Sequence, residues 1–200
     1  RYHSFIDRWG EALQHLKPQM LPLVIPPKPH GMDNTGGYHS IQTKYCRTYE
    51  HEMMQACMDE VEPCVFNSIN YLQSIPLKWN HHIVKTQWAL WQQGHAVGHL
   101  PKKDRLKRPV NAEYKDKDNG GTKYWSDMYA WRKDMSNNVH RTRFLRSRVV
   151  YEKLKAEPKL FFAWSSDFRG RKSMRGGSVN FQGNDVYRSQ LQFTEGSPLS

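Results

Sequence analysis

Near the C-terminal end of the chain, Asp167-Phe168-Arg169-Gly170-Arg171-Lys172 brings together groups suited to gripping a phosphate backbone. Arginine carries a planar guanidinium fork that bonds phosphate oxygens in pairs, and a glycine between two arginines lets a sugar-phosphate chain come close with no Cβ in its path. Asp167 is placed to hold one of the forks. Arg188, on the element that follows, joins Arg169, Gly170, Arg171 and Lys172 as a candidate nucleic-acid contact, with Asp167 as their support. Asp167 and Asp185 suit a salt bridge and a helix first turn better than metal ligation, so no metal or catalytic residue is assigned within the chain.

These residues need rigid elements on either side. Leu160, Phe161, Phe162 and Trp164 form an aromatic run that predicts a short buried strand leading into the cluster. After a glycine-containing turn, Val179-Asn180-Phe181 predicts a returning strand. Asn184 reads as the N-cap of a helix with Asp185 in its first turn, running to about Thr194 and stopping at Gly196 and Pro198.

Upstream, Phe5, Ile6, Trp9, Leu13 and Leu16 predict an amphipathic helix over residues 1–16, which Pro18 ends. Residues 21–29 are held extended by their prolines. Val65 to Ile75 predicts a core-facing helix closed by Pro76. Trp79, Ile83, Val84, Trp88, Leu90 and Trp91 predict a buried helix from about Lys78 to Gln93, with Gly94 at its end. Residues 100–121 read as a basic and glycine-rich linker, exposed and mobile. From Thr122 to Ala156 neither Pro nor Gly occurs, which predicts one long helix. On it Arg141 and Arg148 share one face and Arg143 and Arg146 another. That helix lies between a nucleic-acid groove and solvent, or its charge merely keeps the protein soluble.

The 200 residues carry a formal charge of +11, a field that favours a polyanionic partner. With 38% hydrophobic residues and seven Trp, the composition is that of a globular piece. No apolar run of about 18 residues is present to span a bilayer. No secretory or transit segment is read ahead of the fold-like sequence, and a start at Arg1 in place of Met reads as a piece of a longer protein. Cys46, Cys57 and Cys64 are odd in number and irregular in spacing, which points to reduced thiols. His51-Glu52 lacks the second histidine of a zinc-peptidase motif, and His95 and His99 have no matching cysteine pair nearby.

The order of an aromatic strand, Asp167-Phe168-Arg169-Gly170-Arg171, then Asn180-Phe181-Gln182-Gly183-Asn184-Asp185, and then Gly196-Ser197-Pro198 resembles the start of the palm in single-subunit RNA polymerases of the bacteriophage and mitochondrial type. Ile25-Pro26-Pro27-Lys28-Pro29-His30 followed by Thr35-Gly36-Gly37-Tyr38 resembles a second stretch of that family. So does the helix pair begun by Phe66-Asn67-Ser68-Ile69-Asn70. Ser173 stands where the family usually has Tyr. The resemblance implies an α+β fold, mainly helical, with a bundle-like region leading into a small antiparallel β element at the start of a polymerase palm. The expected parts are a helical region over 1–99, a linker over 100–121, a long helix over 122–158 and the start of the palm over 159–200.

The function implied is DNA-directed RNA synthesis by two-metal nucleotidyl transfer, the segment contacting template and RNA:DNA hybrid. The implied cofactor is Mg²⁺, its ligands lying beyond Ser200, and the implied partners are DNA template, RNA:DNA hybrid and ribonucleoside triphosphates, with no membrane. The implied location is a host cytoplasm for a phage protein or the mitochondrial matrix. The alternative is a non-enzymatic RNA- or DNA-binding module whose Arg169-Gly170-Arg171 and Arg175-Gly176-Gly177 form a flexible arginine-glycine segment. A polyproline-bearing adaptor resting on residues 22–29 ranks below both.

Overall fold

A computed structural model of the chain describes residues 20–33, 35–41, 43–47, 52, 56, 62–114, 120–167 and 169–196. The helix expected over 1–16 and the stop at Pro198 lie outside them. In chain order the elements are β1 (Cys46–Arg47), α1 (Pro63–Ser74), β2 (Leu77–Trp79), α2 (His81–Gln92), α3 (Gly120–Ser136), α4 (Asn138–Leu154), β3 (Ala163–Asp167), β4 (Lys172–Arg175), α5 (Asp185–Arg188) and β5 (Leu191–Phe193), with a 3₁₀ turn at Asn111–Tyr114. This is the expected mixture of helix and strand, α+β. The chain divides into two compact units. One takes the described residues up to Lys78, Glu157–Gln182 and those from Phe193 onward; the other takes Trp79–Ala156 and Gly183–Gln192.

The first unit is built on a three-stranded sheet in the order β1-β3-β4. Strands β3 and β4 form an antiparallel hairpin pairing Ala163 with Arg175 and Ser166 with Lys172. That hairpin is the small antiparallel β element expected, and strand β1 adds to β3 in parallel, Cys46 opposite Ser166. Helix α1 matches its prediction. It begins at Pro63, where a missing N–H costs nothing, and buries Phe66, Ile69 and Gln73 along one face. Tyr45, Cys46, Phe66 and Ile69 form the core there, with Val65 and Trp164 packed against it. The proline-rich stretch is extended as expected and is pinned at two points. Leu23 exchanges backbone hydrogen bonds with Phe161 (2.8 and 2.7 Å), and Lys28 does so with Gly37 (both 2.8 Å).

The second unit packs α2 against α4. Trp88 and Trp91 stack with centroids 5.1 Å apart, and Phe144 lies against both. Leu100, Val186 and Tyr187 complete this cluster. Helix α2 starts three residues later than predicted, because the Asn80 side chain accepts the Ile83 N–H (3.3 Å) and caps it while Leu77–Trp79 runs as a strand. It ends at Gly94, whose φ of 84° is left-handed.

Three other expectations are corrected. The long helix of 122–156 is two helices meeting at Asn137. The Ser136 hydroxyl donates to the Lys133 carbonyl (2.7 Å), and the Asn137 N–H shifts toward the Asp134 carbonyl (3.1 Å against 3.4 Å to Lys133), so one side-chain bond and one shifted backbone bond interrupt the ladder. The strand returning from the cluster is Lys172–Arg175, not Val179–Phe181. The last helix stops at Arg188, not Thr194, and Leu191, which is buried, opens β5.

Candidate nucleic-acid interface

Asp167 closes β3, and its carboxylate organises the turn that carries the arginines. Oδ1 accepts the backbone N–H groups of both Arg169 and Arg171, each at 2.9 Å. The Asp167 N–H bonds the Arg171 carbonyl and the Gly170 N–H bonds the Asp167 carbonyl, both at 3.0 Å. Oδ2 lies 3.5 Å from the Arg169 guanidinium. The Arg171 N–H has the largest effect on the carboxyl, and with the Arg169 N–H and the two guanidinium charges it outweighs burial, the second-largest effect, and holds the group below the usual aspartate range. Asp167 therefore fixes backbone and fork together, which is more than the support expected of it.

Gly170 adopts φ 77°, which a side chain disfavours, and a Cβ built on it would meet open space. The turn thus presents bare backbone to solvent between two exposed arginines. The Arg171 side chain donates no hydrogen bond among the described residues.

Lys172 is held differently. Its ammonium donates to the Tyr45 hydroxyl (2.8 Å) and lies 5.0 Å from that ring's centre. Arg188 sits in the second unit, where it donates to the Gly183 carbonyl (3.2 Å). The structure thus gathers Asp167, Arg169, Gly170, Arg171 and Lys172 on one hairpin and places Arg188 at the end of α5.

The hairpin is braced by side chains that the sequence reading passed over. Gln73 of α1 accepts the Trp164 N–H (3.1 Å) and donates to the Lys28 carbonyl (3.2 Å), tying helix, strand and proline-rich strap together. Asn70 exchanges hydrogen bonds with the His30 backbone at 2.7 and 3.0 Å. The buried His30 ring lies between two carbonyl oxygens, Thr35 at 3.1 Å from Nδ1 and Trp164 at 3.0 Å from Nε2. Burial, the largest effect, shifts this imidazole below its ordinary pKa, against the two carbonyl contacts, which act to raise it. Gly36, with φ 142°, passes so near that ring that a Cβ would lie 2.6 Å from Nδ1.

On the outer edge of β4, Gln182 stands in for a strand. It accepts the Met174 N–H (2.8 Å), donates to the Lys172 carbonyl (3.1 Å) and is itself held by Asn180, which accepts its N–H (2.8 Å). This is why 179–182 does not pair as a strand: side-chain amides have taken the ladder positions. A readable signal existed for Gln73, a polar residue on the buried face of α1; none pointed to Tyr45.

The turn of this hairpin holds the Asp167–Arg171 residues on which the sequence resembles single-subunit DNA-directed RNA polymerases, and comparison with known proteins bears the resemblance out over nearly the whole chain. The chain is 27% identical over 205 residues to the DNA-directed RNA polymerase of Enterobacteria phage K11, covering 98% of this chain. It is 26% identical over 207 residues to the T7 RNA polymerase of Escherichia phage T7, and 23% identical over 194 residues to the DNA-directed RNA polymerase 1, mitochondrial, of Arabidopsis thaliana. The chain spans about a fifth of the length of these curated relatives: 22%, 23% and 20%. No protein-family model matches it.

Proposed function

We propose that this chain is the segment of a template-dependent RNA polymerase that leads into the active site, its hairpin turn setting Arg169 and Arg171 against the phosphates of the template strand and RNA:DNA hybrid. The observation that carries the reading is the turn itself, in which one carboxylate fixes the backbone of both arginines and Gly170 leaves the surface between them open. The partners are DNA template, hybrid and ribonucleoside triphosphates, and the compartment is a phage host's cytoplasm or an organelle, as for the two kinds of relative.

Mg²⁺ supplies the nucleotidyl-transfer chemistry of such an enzyme. The carboxylates described here do not fit it: Asp167 is committed to two N–H groups and a guanidinium, and no three of His, Cys, Asp or Glu come together among the described residues. No metal step is therefore assigned to this segment. The flexible arginine-glycine reading is disfavoured because Arg169 and Arg171 lie between two paired strands.

A salt titration of binding to an RNA:DNA hybrid tests the proposal. Arg171→Ala should weaken binding and lower the slope of log K against log salt by roughly 1, one counterion for one phosphate. Arg171→Lys should restore the slope and only part of the affinity, since an ammonium cannot form the paired fork. Unchanged affinity and slope in Arg171→Ala would remove the site.

A further inference from the structure

Residues 102–108 of the second unit carry Lys102, Lys103, Arg105, Lys107 and Arg108 against a single carboxylate, Asp104, and all seven residues are exposed. A run of like charge ordinarily stays mobile, because its members repel and nothing orders them. Here it is fastened from beneath. Arg141, only 3% exposed, donates from Nε to the Lys102 carbonyl (2.7 Å) and from Nη2 to the Asp104 carbonyl (2.9 Å). Its guanidinium also pairs with buried Asp134, whose other oxygen accepts the Leu106 N–H (3.0 Å). Three alternate backbone positions, 102, 104 and 106, are thus tied to one buried ion pair.

The segment is held again on either side. Lys103 donates to the Gln92 carbonyl (3.1 Å), and the Arg108 guanidinium lies 5.5 Å from the centre of the Trp131 ring. The Arg105 and Lys107 side chains are left exposed, with no hydrogen-bond or ion-pair partner among the described residues. A buried ion pair is a weak source of stability, because desolvating both charges offsets most of their attraction. The specific result of this one is a cationic strap of fixed shape.

We propose that residues 102–108 are a preformed binding strap for the phosphate backbone of nucleic acid, with Arg105 and Lys107 as its contacting cations. A net charge of +11 makes a polyanion the complementary partner, and a backbone already ordered loses little further entropy when phosphates dock. The strap stands independently of the Arg169 and Arg171 assignment, being built from other residues in the other unit.

The test is fluorescence anisotropy of the whole chain with a labelled DNA duplex of about 20 base pairs, titrated with salt. Arg105→Ala with Lys107→Ala should lower the slope of log K against log salt by about 2 and the affinity near 0.1 M salt by on the order of tenfold per cation. Both positions are exposed, so folding is not at stake. Leu106→Pro keeps every charge but deletes the N–H that Asp134 holds. It should leave the slope unchanged while lowering affinity severalfold, with its circular dichroism checked against the parent. Parental slope and affinity in the double variant would overturn the proposal. So would equal competition by polyglutamate at matched charge, which would make the strap a surface for acidic protein. Arg171→Ala serves as the internal control and should not alter the effect of the double variant.

Discussion

At the scale of single residues, Asp167 was legible as a partner of arginine, but its larger role was not. Its acceptance of two backbone N–H groups depends on the chain turning back at Gly170, and no residue spacing encodes that. The consequence is a defined response to acid. The folded carboxyl lies below its unfolded value of about 3.9, so its contribution to stability is complete above that pH and disappears as pH falls through the folded value. Asp167→Asn should therefore show a shallower loss of stability than the parent between about pH 5 and pH 2, the two converging at the acid end; urea midpoints measured across that range check it. Gly170→Ala should cost about 1 to 2 kcal/mol, since the left-handed φ penalises a Cβ even where space is open. A melting temperature equal to the parent's would show that the turn relaxes elsewhere.

At the scale of elements, the patterns that were readable were those set by packing. Helix α1, the buried face of α2 and the aromatic run before Asp167 all follow from apolar spacing, and each is found. What periodicity missed was decided largely by side-chain hydrogen bonds: Asn80 capping α2, Ser136 bonding back to Lys133 where α3 gives way to α4, and Gln182 replacing a strand beside β4. The arginines of α4 were left open between a place at a nucleic-acid groove and a merely solubilising charge. In the structure Arg141 is buried on Asp134, Arg143 lies 4.2 Å from the centre of the Tyr187 ring, and Arg148 stacks near Trp88 and pairs with Glu152. Much of that charge is structural. Packing also redistributes the load within the aromatic run, because Trp164 is half-buried while Phe162 is 2% exposed. Phe162→Ala should cost on the order of 3 to 5 kcal/mol and Trp164→Ala distinctly less, with exposed Lys103→Ala under about 1. Urea unfolding of the three variants measures this, and a Trp164 effect as large as that of Phe162 would mean that the strand is packed otherwise.

At the scale of the whole molecule, the chain matches polymerases from end to end but covers only about a fifth of each, 20% to 23% for the three compared. Binding and chemistry are therefore expected to separate. The hairpin turn offers cations that neutralise phosphates, whereas nucleotidyl transfer needs carboxylates that hold two metal ions near the reacting oxygens. Asp167 cannot be released for that task without dismantling the turn, because its oxygens hold the Arg169 and Arg171 backbone and the Arg169 fork. On the function proposed above, the metal-binding aspartates are expected outside this segment. The purified 200-residue chain should accordingly retain salt-dependent binding to an RNA:DNA hybrid yet add no nucleotide to its RNA end when given Mg²⁺ and all four ribonucleoside triphosphates. Gel analysis of an end-labelled primer reads both the products and, run native, the complex. A ladder of extended primers abolished by EDTA would show that this segment holds catalytic carboxylates of its own, and would displace the reading in which it only carries nucleic acid toward them.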